Sequence, residues 1–409
     1  MLNNGKAILR CEWILLLFGV IFCFILNSGA QIAMLGMTLI LFVLVYKKAK
    51  RRDIDRIAWW YLFPLAVLWA EKSGSQHWMA AFLRFFLIVS LVCIAQPVSH
   101  KSARKLLEFI EGVGLLCAIS VIVEFFSPSI FFLTIYRLYS PAVQEMLKNQ
   151  VTAGSYYSGF ATEPAVAAGM IVFSFFSLAA QRKVTLGKAL LLFGGLILTG
   201  KRSHLIFLIL TWMAYKIVIA APTEKVTKIA EMLVIGLAMV GILLMVKKSI
   251  HFGVLDRIVE TLDIFVHSGG NDGLLNKATS GRYSSYKAAW KFFVQNPIRG
   301  IGWGEFGRIY YNEWLGTYLT NVHNLCLQLL CESGFFGLIF FAIPACKTLK
   351  KSISEVKYET SSQGVRIFSL LMQLFFLLYS MTETSLDVPF YYMTYFMAVL
   401  LAWKSTSTQ

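Results

Sequence analysis

Long, unbroken apolar runs recur along this chain, and they decide what it can fold into. A helix needs roughly 17 to 22 apolar residues to cross the ~30 Å hydrocarbon core of a bilayer. Such windows fall near 13–28, 30–46, 57–70, 78–96 and 106–127, then near 164–180, 186–199, 203–221, 229–246, 324–346, 364–381 and 388–403. The runs near 57–70 and 186–199 are short, which suits tilted or half-inserted helices. A helix satisfies its own backbone hydrogen bonds in hydrocarbon, and the runs are continuous rather than alternating, so a transmembrane β-barrel is disfavoured. Composition agrees. With 57% hydrophobic and 15% charged residues and a mean hydropathy of +0.65, the chain has more apolar side chain than a soluble interior could hold. The expected fold class is all-α: a polytopic membrane protein of about twelve transmembrane helices, one integral membrane domain over 1–409. Trp13 to Leu26 reads as a retained first helix, because no convincing small-x-small cleavage site follows it and a second run begins at once.

The net charge of +16 raises the question of nucleic acid, and the placement of the basic residues answers it. They cluster in alternate loops: Lys6 and Arg10, Lys47 to Arg56, Lys101 to Lys105, Arg182 to Lys188, Lys225 and Lys228, Lys347 to Lys357, and Lys404. By the positive-inside rule these segments face the cytoplasm, so both termini are expected inside. The charge is topological, and no nucleic-acid partner is expected. The seven cysteines fall mainly in apolar runs without CxxC spacing, which predicts neither a disulfide framework nor a metal site.

Two loops on the opposite side stand out by length, 128–162 and 247–322, so any chemistry is expected to face outward. The second is too long for a connector and is rich in aromatics, so it should hold structure of its own. Within it, TSGRYSSYKAAWKFFVQNP at 279–297 offers Ser280 as a cap, sets Tyr283, Tyr286, Trp290 and Phe293 on one helical face, and stops at Pro297, the pattern of an amphipathic interfacial helix. Arg282 falls in its first turn. Glycines 300, 302, 304 and 307 follow, and would allow close backbone approach to a ligand.

Outside basic residues run against the topological bias. Lys201 and Arg202, at a boundary between two apolar runs, fit either an anionic partner or snorkelling to lipid headgroups. His323 and Asn324 open a membrane helix, and Gln328 and Glu332 extend a polar stripe four and eight residues beyond Asn324. Such a stripe should face a bundle interior or a wet cavity, or else make interhelical hydrogen bonds. Gly334 and Gly337 would let a neighbouring helix approach closely. Glu163, just before Pro164, stands at a helix start, where it could cap the dipole or meet substrate. Arg84, inside an apolar run, and Glu383, at an outside boundary, are further candidates for a polar interior.

Taken in order and spacing, GFATEP at 159–164, LTGKRS at 198–203, SGRY…NPIRGIGWGEF at 280–306 and HNLCLQLLCESGFFG at 323–337 resemble the bacterial O-antigen polymerase and O-antigen ligase superfamily. The resemblance spans 159 to about 385, and its most specific piece is His-Asn, nine residues, then Gly-x-x-Gly. It implies glycosyl transfer at the outer face of the inner membrane, from a glycan on undecaprenyl diphosphate to an acceptor hydroxyl, without nucleotide sugar, metal or other cofactor. By resemblance, Arg202 and Arg282 match the family's two outward arginines that engage the diphosphate, and His323 the histidine near the acceptor. Lys201 stands where the commoner motif has Ser or Thr before the arginine. Lys201, Glu163, Asn324, Glu332, Tyr283 and Trp303 are the expected substrate contacts. The expected partners are the lipid-linked oligosaccharide donor and acceptor, membrane lipid and a chain-length regulator protein.

The Glu-Pro segment closing the first outside loop is more like the capsule, exopolysaccharide and O-antigen polymerases than the ligases, while the His-Asn segment suits both. The competing class is a twelve-helix transporter such as a lipid-linked-sugar flippase. Residues 1–200 and 201–409 show no internal similarity, and the outside loops are unequal, which argues against repeated halves.

Overall fold

The computed structural model describes residues 28–45, 57–71, 77–95, 98–154, 156–232, 234, 271–312, 316–318, 321–357 and 363–404. The helices are α1 (Ser28–Val45), α2 (Leu62–Trp69, behind a 3-10 turn Ala58–Tyr61), α3 (His77–Ile94), α4 (His100–Phe126), α5 (Pro128–Leu133), α6 (Pro141–Thr152), α7 (Pro164–Ala180), α8 (Leu186–Leu198) and α9 (Arg202–Ile219). They continue as α10 (Asp272–Ala278), α11 (Arg282–Gln295), α12 (Phe306–Ile309), α13 (Leu325–Val356), α14 (Gln363–Tyr379) and α15 (Pro389–Lys404). Among the described residues the one sheet is a two-residue hairpin pair, Tyr311–Asn312 antiparallel to Thr317–Tyr318. The architecture is all-α, a bundle of apolar helices. Of the twelve expected runs, 13–28 and 229–246 lie almost wholly outside the described residues, and each of the others is helical. α4, α9 and α13 are long and apolar enough to cross a membrane, with shorter apolar helices such as α7, α8 and α14 beside them.

Small residues set the closest helix pair. A Cβ on Gly114 of α4 would lie 2.3 Å from the Ser174 Cβ of α7, so only glycine admits that approach. Ser174 Oγ then donates to Glu111 O at 2.9 Å and Ser177 Oγ to Leu107 O at 2.6 Å, satisfying hydroxyls that lipid would leave bare. Aromatic rings fill the α14–α15 seam, with Phe376 and Tyr395 stacked at 4.1 Å between centroids.

α13 is broken at Gly334, whose φ of +68° is non-helical. The break admits the loop after α11. A Cβ on Gly334 would meet Ile298 O at 2.3 Å, and one on Gly300 would meet the Glu332 carbonyl carbon at 2.4 Å. Phe335 N donates to Pro297 O at 2.8 Å, Ile301 N to Cys331 O at 2.8 Å and Gly302 N to Glu332 O at 3.1 Å. Two expectations are corrected here. Gly334 receives a loop rather than a neighbouring helix, and Gly300 and Gly302 approach the α13 backbone rather than a ligand.

The segment 128–154, expected as the first outside loop, is a small folded unit. Phe131, Tyr136, Tyr139 and Leu147 form its core. Glu124, at the end of α4, fastens it: the carboxylate accepts Tyr136 Oη–H, Ser158 N–H at 2.8 Å and Gly159 N–H at 2.6 Å. Tyr139 Oη–H adds a bond to Phe160 O. The GFATEP segment is therefore held from below by a buried carboxylate whose acceptor oxygens are all used. Glu124, the one charged residue in the apolar stretch 112–126, was the sequence signal for it.

Candidate active site

The α10–α11 corner presents the first arginine. Ser280 (φ +53°) and Gly281 (φ +81°) turn the chain left-handed. Asn276 Oδ1 accepts Ser284 N–H at 2.9 Å, Thr279 Oγ1 accepts Tyr283 N–H at 3.0 Å, and the buried Asn312 Nδ2 donates to Gly281 O at 3.0 Å. Gly281, not Ser280, stands at the N-cap position, so the expected Ser280 cap is replaced by Thr279 and Asn276. The Ser280 hydroxyl instead lies 3.4 Å from Arg202 Nη2, at the start of α9. The helical face is also revised: Ser285 and Ala289 are the buried residues of α11 and Trp290 is exposed, because small residues let α11 lie close to α13.

Opposite this corner runs the α14–α15 loop. Arg282 Nη2 bonds Glu383 Oε1 at 2.6 Å and Nη1 donates to Thr382 O at 2.8 Å. Glu383 Oε2 meets His323 Nδ1 at 3.1 Å. One carboxylate thus joins the two residues that the sequence motifs single out. A carboxylate can only accept, so Nδ1 carries a proton, and in the neutral ring Nε2 is then the nitrogen with the lone pair. Burial alone would push the Glu383 carboxyl up; the His323 hydrogen bond and the Arg282 charge outweigh it and bring the carboxyl down to about 2. It is ionised wherever the protein works.

His323 adopts φ +58°, uncommon for a side chain with a Cβ, and its surroundings enforce it. Tyr286 Oη–H donates to its carbonyl at 3.1 Å, Leu325 N donates to Ser380 O at 2.7 Å, and Asn324 Nδ2 donates to Met381 O at 2.8 Å. Asn324 Oδ1 also caps α13 through Leu327 N–H at 2.9 Å. Both ends of its amide are thereby spent on protein, so the expected substrate contact becomes an anchoring role.

Glu332 is likewise corrected. It is 2% exposed, its carboxylate accepts backbone N–H groups of Gly304 and Phe306, and Gln328 Nε2 spans from Glu332 Oε2 (3.2 Å) to Asp387 Oδ2 (2.9 Å). The polar stripe faces the bundle interior and ties loop 297–306 to the α14–α15 loop. Trp303, expected to stack on sugar, is 2% exposed between Phe63 (6.1 Å) and Phe85 (5.7 Å), with no face for a ligand.

Glu163 precedes α7 without making a capping hydrogen bond. Its side chain opens to solvent in a cleft crowded by protein, and that desolvation raises its carboxyl, with Glu383 adding to the rise and Lys201 opposing it. Lys201 Nζ stands 5.1 Å over the Tyr156 ring. Tyr283 is half-buried beside Arg282, under Lys287 Nζ at 5.6 Å. Lys201, Arg202, Glu163, Arg282, His323 and Glu383 therefore converge from five segments, with Tyr283 next to Arg282 on α11, while Asn324, Glu332 and Trp303 support from behind. The arrangement can hold an anion with arginines and take a proton at His323 Nε2.

A helical membrane protein with two arginines and a carboxylate-oriented histidine at one end of its bundle is the class defined by this fold and site. Residues 187–342 match the family model described as O-Antigen ligase, which supports the O-antigen polymerase and ligase superfamily, whose members are glycosyltransferase-like enzymes. No curated protein matches the chain. The matched stretch includes Lys201, Arg202, Arg282 and His323 and ends before Glu383, the residue that couples two of them.

Proposed function

We propose that this protein is a metal-independent membrane glycosyltransferase that polymerises oligosaccharide repeat units carried on undecaprenyl diphosphate, at the periplasmic face of the bacterial inner membrane. The observation that carries the reading is Glu383 bridging Arg282 and His323, with Arg202 reaching the same corner through Ser280. Arg202 and Arg282 bind the diphosphate oxygens of the donor; arginine stays charged and grips phosphate in a fork. The acceptor hydroxyl lies against His323 Nε2. Its oxygen forms the new bond to the sugar C1 as the C1–O bond to phosphate breaks, its proton passes to Nε2, and the electron pair leaves with the diphosphate. Glu383 holds the imidazole in the tautomer that can accept that proton and stabilises the cation that results. Glu163, Lys201 and Tyr283 line the approach for sugar.

Ligase activity, with lipid A-core as acceptor, is the second reading, and the description of the matching family favours it. Chemistry at the donor is shared; the acceptor differs. The glycan profile of a deletion strain separates the two. Single repeats on core, or lone repeats on the carrier, are expected for the polymerase. Full-length polymer stranded on the carrier beside bare core would establish the ligase, and accumulation of lipid-linked repeats on the inner leaflet would overturn both in favour of a flippase.

A further inference from the structure

α4 carries an exposed apolar stripe, Leu116, Ile119, Val123 and Phe126, at spacings of three and four residues that put them on one face. On a helix long and apolar enough to cross a bilayer, such a face is the one that meets acyl chains. The stripe does not end with the helix. Ile130 (52% exposed) and Leu133 (61%) continue the same spacing across the Ser127 break, and Leu138 (72%) extends it. The unit they belong to has two unlike sides. Exposed Glu145, Lys148 and Asn149 of α6 make one polar, and the core of Phe131, Tyr136, Tyr139 and Leu147 separates that side from the apolar edge. A polar side, a packed middle and an apolar edge in line with a lipid-facing stripe form the profile of an interfacial segment, and a contiguous exposed apolar patch needs a cover. Arg137, exposed between Leu133 and Leu138, supplies a cation where a phospholipid phosphate would lie.

We propose that residues 126–138 form a shelf seated in the leaflet on the candidate site's side of the membrane, with Phe126, Ile130, Leu133 and Leu138 at the acyl boundary and Arg137 on headgroup phosphate. The segment expected as a water-side loop is thus partly immersed. Its depth is passed on to the site, because Glu124 fastens Tyr136 of the shelf and the backbone of Ser158 and Gly159 to one carboxylate, four residues before Glu163.

The test places p-benzoylphenylalanine singly at Leu116, Ile119, Ile130, Leu133 and Glu145 of the full chain, irradiates native membranes and weighs the purified protein. Phospholipid adducts are expected at Ile130 and Leu133 with yields within about threefold of those at the calibrating sites Leu116 and Ile119, and none at Glu145. Protein adducts at Ile130 and Leu133 would assign the edge to a partner chain and overturn the shelf. So would lipid yields there below about a tenth of the calibrating sites, which would mean the edge faces water.

Discussion

Replacing Glu383 by glutamine changes one carboxylate oxygen to an NH2 and removes the charge, and the geometry leaves the amide no satisfactory orientation. With its oxygen toward His323 Nδ1, its NH2 confronts Arg282 Nη2 across the 2.6 Å that now holds an ion pair, and Arg282 keeps only Thr382 O at 2.8 Å. Turned over, the NH2 faces His323 Nδ1 across 3.1 Å and forces the proton onto Nε2, the atom that must accept one. Either way a hydrogen bond between charged or partly charged groups is lost, each worth about 1.5–3 kcal/mol, which at ~1.4 kcal/mol per decade is roughly a 10- to 150-fold loss of rate. Glu383→Asp keeps the charge but is one methylene too short to reach both partners, so an intermediate loss is expected. The assay is turnover of lipid-linked repeat units by the purified protein in proteoliposomes, with KM and kcat separated and the melting temperature of each variant recorded. The loss should sit mainly in kcat, since the tautomer matters only when the proton moves. A folded Glu383→Gln protein working within about twofold of wild type would refute the coupling of Arg282 and His323 through this carboxylate.

Arg202→Ala and Arg282→Ala should each cut turnover about a hundredfold, as loss of one charge-stabilising donor typically costs ~3 kcal/mol; normal glycan length in a complemented deletion strain would count against the assignment. His323→Ala should abolish polymer while leaving donor binding near wild type, measured with a labelled lipid-linked donor; full turnover would exclude His323 from the chemistry. The Glu383 carboxyl is held down at about 2, so its contribution to stability is complete above the usual carboxylate range and lost as pH falls toward 2. The melting-temperature gap between wild type and Glu383→Gln should accordingly hold from neutrality to mild acid and close below it; a gap unchanged by acid would show that the ion pair adds nothing. Gly300→Ala combines a φ of +71° with a Cβ 2.4 Å from the Glu332 carbonyl carbon, and should cost at least ~2 kcal/mol of stability, read by thermal melting.

What the sequence made legible follows from what hydrophobicity and charge can report. Continuous apolar runs mark helices, because in hydrocarbon the backbone has no other solution. The cations Lys201, Arg202 and Arg282 were visible because they run against the expected topological bias, and the structure sets Lys201 near Glu163, Arg282 on Glu383 and Arg202 at Ser280 of the same corner. What a run cannot report is which partner takes up a polar group. Asn324, Glu332 and Trp303 had the residue types of a sugar site, yet the structure spends the first two on backbone amides and carbonyls and the third on Phe63 and Phe85. The glycines of RGIGWGEFG misled for the same reason: positive φ and small volume are needed for close approach to a ligand or to a broken helix alike, and only the break at Gly334 decides between them. Glu383 shows the converse. At a boundary after α14 it looked like one more acidic residue in an outside loop, since its two partners are 101 and 60 residues away in sequence. Its importance comes from that distance. A loop carboxylate tied at once to the α10–α11 corner and to the start of α13 can fix the relative position of arginine and histidine only if all three segments are folded, so the charge constellation proposed for glycan transfer and the contacts that close this end of the bundle are the same bonds.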